Sequence, residues 1–293
     1  MYNLPVYLWV VILVGTIGVP ALTTVALYRG AAQTGRSSSR GTAQTNLPAS
    51  RDATQANLPA SRGTAQTDLL SSRNSAQTGI DREPARLLAT VAAVLLGGWL
   101  LLSGVIAGRG WYDAPLGQQP PWLLVVVVGV AVALLAATRI PLVANAIAAP
   151  GTLGRLHLPH TMRVAGVVFV LMMALGHLPA LFALPAGLGD MATGIAAPFV
   201  VRRLARGTGH RAAVWFNALG IADLVVALTL GGLTSFQLIA VTPSAQAIAE
   251  LPLALIPTTT VPLLLALHIT SLRRLAAVAK THPTGTWQLS MEG

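Results

Sequence analysis

Four ionisable side chains, His177, Asp190, Asp223 and His268, fall inside apolar stretches of a chain in which only 10% of residues are charged. A charged group held in lipid costs free energy, so such residues face a bundle interior and mark candidate sites. A carboxylate with an imidazole nearby is enough for general acid–base work or for passing a proton. Asn217, Thr193 and the run Thr258–Thr259–Thr260 accompany them as uncharged polar groups. Asp190 and Asp223 share a local pattern, since Gly187-Leu188-Gly189-Asp190-Met191 parallels Gly220-Ile221-Ala222-Asp223-Leu224. In two helices running in opposite directions this is what an inverted repeat leaves behind, and transporters place their sites at the interface of such repeats. Small residues ahead of each aspartate also permit close helix packing. The same pattern therefore fits two carboxylates that only clasp neighbouring helices.

The elements that must position these residues follow from hydropathy. A transmembrane helix needs about 20 mostly apolar residues. Seven segments qualify: 4–28, 86–107, 121–140, 161–183, 185–201, 212–230 and 251–272. At ~1.5 Å per residue, Asp223 lies about 12 Å below the outer end of the sixth helix and Thr258–Thr260 at a similar depth on the seventh. His177 lies about 9 Å down the fourth by the same rise, and Asp190 in the opening turns of the fifth. These residues converge on one outward-facing polar pocket, with Asn217 nearby. His268 falls near the cytoplasmic end of the seventh helix, about 15 Å or more from His177 in depth, so the two cannot ligate opposite faces of one haem. A divalent metal on His177, Asp190 and Asp223 is chemically admissible, but no spacing motif supports it. No metal or cofactor is expected.

With 54% hydrophobic residues and a mean hydropathy of +0.66, the chain has too little charge to wet the surface of a soluble domain, which carries about 25% charged residues. The expected fold is an all-α polytopic transmembrane bundle of about seven helices, with the lipid bilayer as its main partner. The net charge of +10 comes from 18 Arg and one Lys. They form no basic helix face or aromatic-lined groove, so nucleic acid is not the expected partner. An N-out, C-in arrangement puts Arg29–Arg86, Arg139–Arg163, Arg202–Arg211 and Arg273–Lys280 in the cytoplasm, 18 of the 19 basic residues, with Arg109 alone outside. That is the positive-inside pattern. The first helix lacks a basic n-region and is followed by arginines, so it is expected to be an uncleaved anchor rather than a signal peptide. No cysteine is present, which removes disulfides, thiolate metal sites and cysteine nucleophiles from consideration.

Four regions result: the first transmembrane helix at 1–28, a linker at 29–85, a six-helix core at 86–275 and a cytoplasmic tail at 276–293. Residues Arg29, Arg40, Arg51, Arg62 and Arg73 open five tandem repeats of 11 residues, clearest in Arg51–Ser61 and Arg62–Ser72. An 11-residue period can mark a coiled coil, but Pro48, Pro59 and the polar composition read as disorder. Duplication in a tolerant loop explains the repeats, and a docking or phosphorylation role is the alternative.

The last helix carries Pro252, Pro257 and Pro262, each removing a backbone donor, with the three threonines placed to satisfy freed carbonyls. From Arg163 to Leu275 the chain resembles a family of uncharacterised bacterial integral membrane proteins. The resemblance rests on Leu178-Pro179, Phe182–Gly187, Gly189-Asp190, Ala197-Pro198, Trp215, Asn217, Gly220, Asp223–Ala227, Ile256-Pro257-Thr258, Val261-Pro262 and Leu267-His268. It implies a bacterial cytoplasmic (inner) membrane protein and brings no activity. The only lysine, Lys280, lies beyond the last helix, so a retinal Schiff base is excluded. No GxxxxGK, HExxH or GxSxG motif occurs. Three readings stand: a small-molecule or ion transporter, proton-coupled through Asp223, Asp190 and His177; a non-catalytic scaffold; and an intramembrane enzyme or cofactor protein. Oligomeric state and protein partners are not encoded in any feature of the chain.

Overall fold

The computed structural model describes residues 4–45, 83–113 and 122–281, with the backbone alone given for 35–45 and 281. Among these every regular element is helical. In chain order they are α1 (Val6–Thr45), α2 (Glu83–Gly108), α3 (Trp122–Ala137), α4 (Pro141–Ala148) and α5 (Thr152–Leu156). A 3₁₀ run (Leu158–Gly166) then leads into α6 (Val167–Ala174), α7 (Ala180–Ala205) and α8 (His210–Ser235), and a π-helical turn (Ile256–Thr260) into α9 (Val261–Thr281).

Six helices are long and apolar enough to cross a membrane, and a seventh crossing arises if α3 and α4, bent by 79°, count as one broken span. One contact bears on that count. Gln246 Nε2 donates to Asp113 Oδ1 at 2.5 Å, so the turn after α2 and the segment after α8 meet at one end of the bundle. Helices α7 and α8 run end to end between there and the 206–209 turn, so the 152–174 span starts at the far end. The α3–α4 pair therefore links the two ends of the bundle, as one broken span would.

The outward faces are apolar: Leu95 and Leu101 on α2, Val128 and Val132 on α3, and Ile195 and Phe199 on α7 are exposed. Contiguous exposed apolar surface of this extent suits a lipid surround. Inside, Leu8 and Ile12 of α1 pack with Val168, Phe169, Met172 and Phe182. The close approach of α1 to α4 requires Gly30, where a methyl would overlap the Ala146 carbonyl.

Several boundaries differ from those set by hydropathy. The expected break near residue 184 lies instead at 175–179, where Gly176 takes φ 76° and Pro179 is extended. Left-handed glycine followed by an X-Pro step ends a helix, whereas Pro185 is absorbed within α7. The preceding span starts earlier, at Thr152, and the last span runs on from Ile256 to Lys280. Helix α1 continues past Tyr28 to Thr45. The remaining repeats, residues 46–82, lie outside the described residues, as does the tail from 282.

Candidate functional site

The 3₁₀ run builds the centre of the site. With three residues per turn, positions i, i+3 and i+6 stack on one face. His157, His160, Arg163 and Gly166 share that period, and all four are buried while most positions between them are not. An α-helix would splay the same residues around its axis. Arg163 thus enters the bundle at mid-span, the twelfth residue of a 23-residue crossing. This corrects its placement in a cytoplasmic loop.

Arg163 is met by two carboxylates. Its Nε donates to Asp190 Oδ1 at 2.7 Å, and its Nη2 donates to Asp223 Oδ2. The Arg163 side chain is 1% exposed, whereas those of Asp190 and Asp223 keep 15% and 17%. Asp190 is the eleventh residue of α7 and Asp223 the fourteenth of α8, each helix having 26 residues, so both lie near mid-span rather than in an outer half. Gly189 and Gly220 of the repeated pattern, with Gly166 of the 3₁₀ run, make the room. A methyl at Gly189 would overlap the Asp223 carboxylate, one at Gly166 would overlap Asp190, and one at Gly220 would overlap the His268 ring.

His268 belongs to this cluster, contrary to the depth expected for it, because α9 extends to Thr281 and so places residue 268 mid-helix. Its Nε2 lies 3.2 Å from Arg163 Nη1 and its Nδ1 lies 2.9 Å from Asn217 Oδ1. Asn217 Nδ2 lies 2.7 Å from the Ala213 carbonyl and 2.9 Å from His157 Nε2, and His157 Nδ1 lies 2.8 Å from the Leu153 carbonyl. Carbonyls only accept, so the two ends fix every donor in between. Arg163 donates to His268, His268 to Asn217, Asn217 to His157, and His157 to Leu153. Both histidines are then neutral imidazoles of one tautomer. His160 stacks on His268 with ring centroids 3.9 Å apart, and Phe216 packs against all three histidines.

The cluster therefore holds one cation and two carboxylates. If both acids ionise, one negative charge is left without a partner at mid-span. Isolated buried charge is strongly unfavourable, so the site has capacity for one proton or one other monocation.

A cavity of about 330 Å³ opens on Asp190. Its α8 wall runs from Leu224 to Phe236, about 18 Å of helix at the usual rise. The far end is formed by Tyr112, Asp113 and Gln246, and Phe169, Phe182 and Leu123 line the middle. A second space of about 30 Å³ adjoins it, lined by Thr16, Arg163, Asp190 and Thr260, among others. It is large enough for a single water.

Of the residues singled out from sequence, Asp190, Asp223 and Asn217 meet in this network. Thr260 borders the small space. Thr258 and Thr259 turn to the backbone, donating to the carbonyls of Ala254 and Leu255. Because the single Thr258 hydroxyl proton is used there, Ser103 must donate to Thr258 Oγ1 at 2.6 Å, and Tyr112 to Ser103 at 3.3 Å. Burial raises the Tyr112 phenol above its ordinary pKa, which keeps that donor in place. His177 stands in the turn between α6 and α7 and lines neither cavity. Sequence reasoning missed Arg163, His157 and His160. Their three-residue spacing was one available signal, and two mid-span acids without a counter-charge were another. Among the described residues no group of three His or acidic side chains is arranged to hold a metal ion.

An all-helical chain, apolar outside and holding an arginine between two aspartates at the end of an apolar cavity, defines the class: a multi-helix protein of membrane-spanning build. Within it, the chain belongs to the DUF8737 family, a domain of unknown function whose family model matches residues 120–276. That match contains the whole Asp190–Arg163–Asp223 cluster and its histidine–asparagine chain. No curated protein and no solved structure matches the chain.

Proposed function

We propose that this protein is a small-molecule transporter of the bacterial cytoplasmic membrane, N-terminus outside, coupled to protons through the Asp190–Arg163–Asp223 cluster. The observation that carries the reading is the cavity that leads from the Tyr112 end of the bundle to Asp190. A site serving only to hold helices together has no use for such an approach. The unmatched negative charge supplies the coupling: a proton taken up at the cluster neutralises it, and loss of that proton restores it. Infrared titration of the protein in liposomes tests this. A protonated-carboxyl band that changes with pH, and disappears in Asp223→Asn, is the expected result.

The second reading is a scaffold. It is favoured by the fit of Gly166, Gly189 and Gly220 around the polar groups and by the unbroken order of the hydrogen-bond chain. Carboxyl groups that stay in one form at every accessible pH, with Asp223→Asn altering stability alone, would put the scaffold first.

A further inference from the structure

Resting on the transport reading, the structure points to the substrate class: we infer that the cavity takes a lipophilic monocation, one apolar ring or short chain bearing a single positive group, and that this cation displaces the proton held by the cluster.

Three features of the cavity converge on that ligand. Its volume, about 330 Å³, is at the small end of the range for drug-sized ligands. Its walls are aliphatic and aromatic, with Phe169, Phe182, Phe236 and Tyr112 among them, and aromatic faces attract cations once water is excluded. Among the described residues the only charged groups on its lining are acidic, Asp113 at one end and Asp190 at the other.

The order of the groups also selects against anions. The one cation of the site, Arg163, sits behind its two carboxylates with a side chain 1% exposed. An arriving anion meets Asp190 first and finds only uncharged donors, such as the Ser235 hydroxyl, along the lining. An arriving cation meets a carboxylate whose cluster is one positive charge short. The groups facing Asp190 and Asp223 are Arg163 and, through it, the neutral His268 with His160 stacked on it. None supplies a second positive charge. Proton and ligand cation therefore compete for one charge, and binding of the cation expels the proton.

Phenyltrimethylammonium is the probe of choice, because its charge is fixed and any proton released comes from the protein. Its uncharged isostere tert-butylbenzene and the anion benzenesulfonate serve as competitors. With the full chain in nanodiscs, equilibrium dialysis should find saturable binding of the ammonium, displaced at least tenfold less effectively by tert-butylbenzene and not by benzenesulfonate. The apparent Kd should rise by up to about tenfold per pH unit on acidification, with about one proton released per cation bound. Asp190→Asn leaves Arg163 paired with Asp223 and should abolish both the proton release and the pH dependence. Gly232 lines the cavity well away from the cluster, and a Cβ there meets nothing within 4 Å. Gly232→Phe should therefore fill the space and abolish binding while the protein still unfolds cooperatively. Equal displacement by the neutral isostere, displacement by the sulfonate, or undiminished binding in Gly232→Phe would each overturn the inference. Binding as described but no flux of the ammonium in proteoliposomes would sink the transport reading and leave the binding site standing. Flux of anions alone would do the reverse.

Discussion

Arg163 brings one positive charge to two carboxylates, so its removal and the removal of either acid are unequal changes. Asp223→Asn leaves a balanced Arg163–Asp190 pair and should cost no more than about 1.5 kcal/mol of stability. Arg163→Met leaves two acids facing each other at mid-span and should cost about 3–5 kcal/mol, the range for breaking a buried pair. Denaturation in detergent micelles reads the difference, and equal losses would show that charge balance does not govern the cluster. The glycines make a second residue-level case. Gly189→Ala drives a methyl into the Asp223 carboxylate and should cost about 1–3 kcal/mol, as overpacking does. Gly97→Ala, where a Cβ meets nothing within 4 Å, should be neutral or slightly stabilising. A shared outcome for the two would remove the role given to Gly189. The intramembrane aspartates and Asn217 could be read from sequence because a polar residue in an apolar run stands out. Arg163 is harder to read, because an arginine near a hydropathy boundary looks like a loop charge, and the two partners that neutralise it lie far away in sequence.

Two helical irregularities position the site, and neither follows from a window that assumes 3.6 residues per turn. The 3₁₀ run from Leu158 to Gly166 aligns His160 with Arg163, and Pro159 sits at its start, where its missing backbone donor costs nothing. The π-helical turn Ile256–Thr260 is the other. Three prolines announced a disturbance there, and the threonines between them do donate to backbone carbonyls, but one carbonyl takes a donor from a neighbouring helix. Pro262 has no N–H for the carbonyl four residues before it, that of Thr258. This carbonyl accepts instead from Trp99 Nε1 of α2, at 2.9 Å. Trp99, well inside α2, is thus a donor to a broken helix, a role visible only once α2 is placed beside the π-helical turn. Trp99→Phe keeps the ring and deletes the donor, and should cost about 1 kcal/mol. The cavity wall includes Ile256 and Pro257, so the same substitution should loosen probe binding there. An unaltered melting temperature in Trp99→Phe would mean that the π turn satisfies the Thr258 carbonyl without help.

At the scale of the whole chain, the helix count and orientation rest on charge placement and on one inter-loop contact. Moving Arg163 into the bundle leaves the alternation of basic residues expected for an N-out chain unchanged, since Arg139 and Arg155 remain in that segment. The expectation of seven crossings turns on α3 and α4, because a 79° bend leaves α3 with only 16 residues, short for a bilayer of about 30 Å. The chain has no cysteine, so single cysteines report its topology without background. Trp111 and Leu238 are exposed at 64% and 72% in the two segments joined by Asp113 and Gln246, and Thr208 is exposed in the turn between α7 and α8. With seven crossings and the N-terminus outside, an impermeant maleimide added to intact cells should label Trp111→Cys and Leu238→Cys. It should reach Thr208→Cys and Ser75→Cys only after the cells are opened. The reverse pattern at all four sites would keep seven crossings and invert the protein. Labelling of Trp111→Cys and Leu238→Cys from opposite sides would mean that the α3–α4 pair dips in and returns, leaving six crossings. The end of the cavity near Asp113 would then no longer share a compartment with the α8–α9 connection, and the approach to Asp190 on which the transport reading depends would be lost.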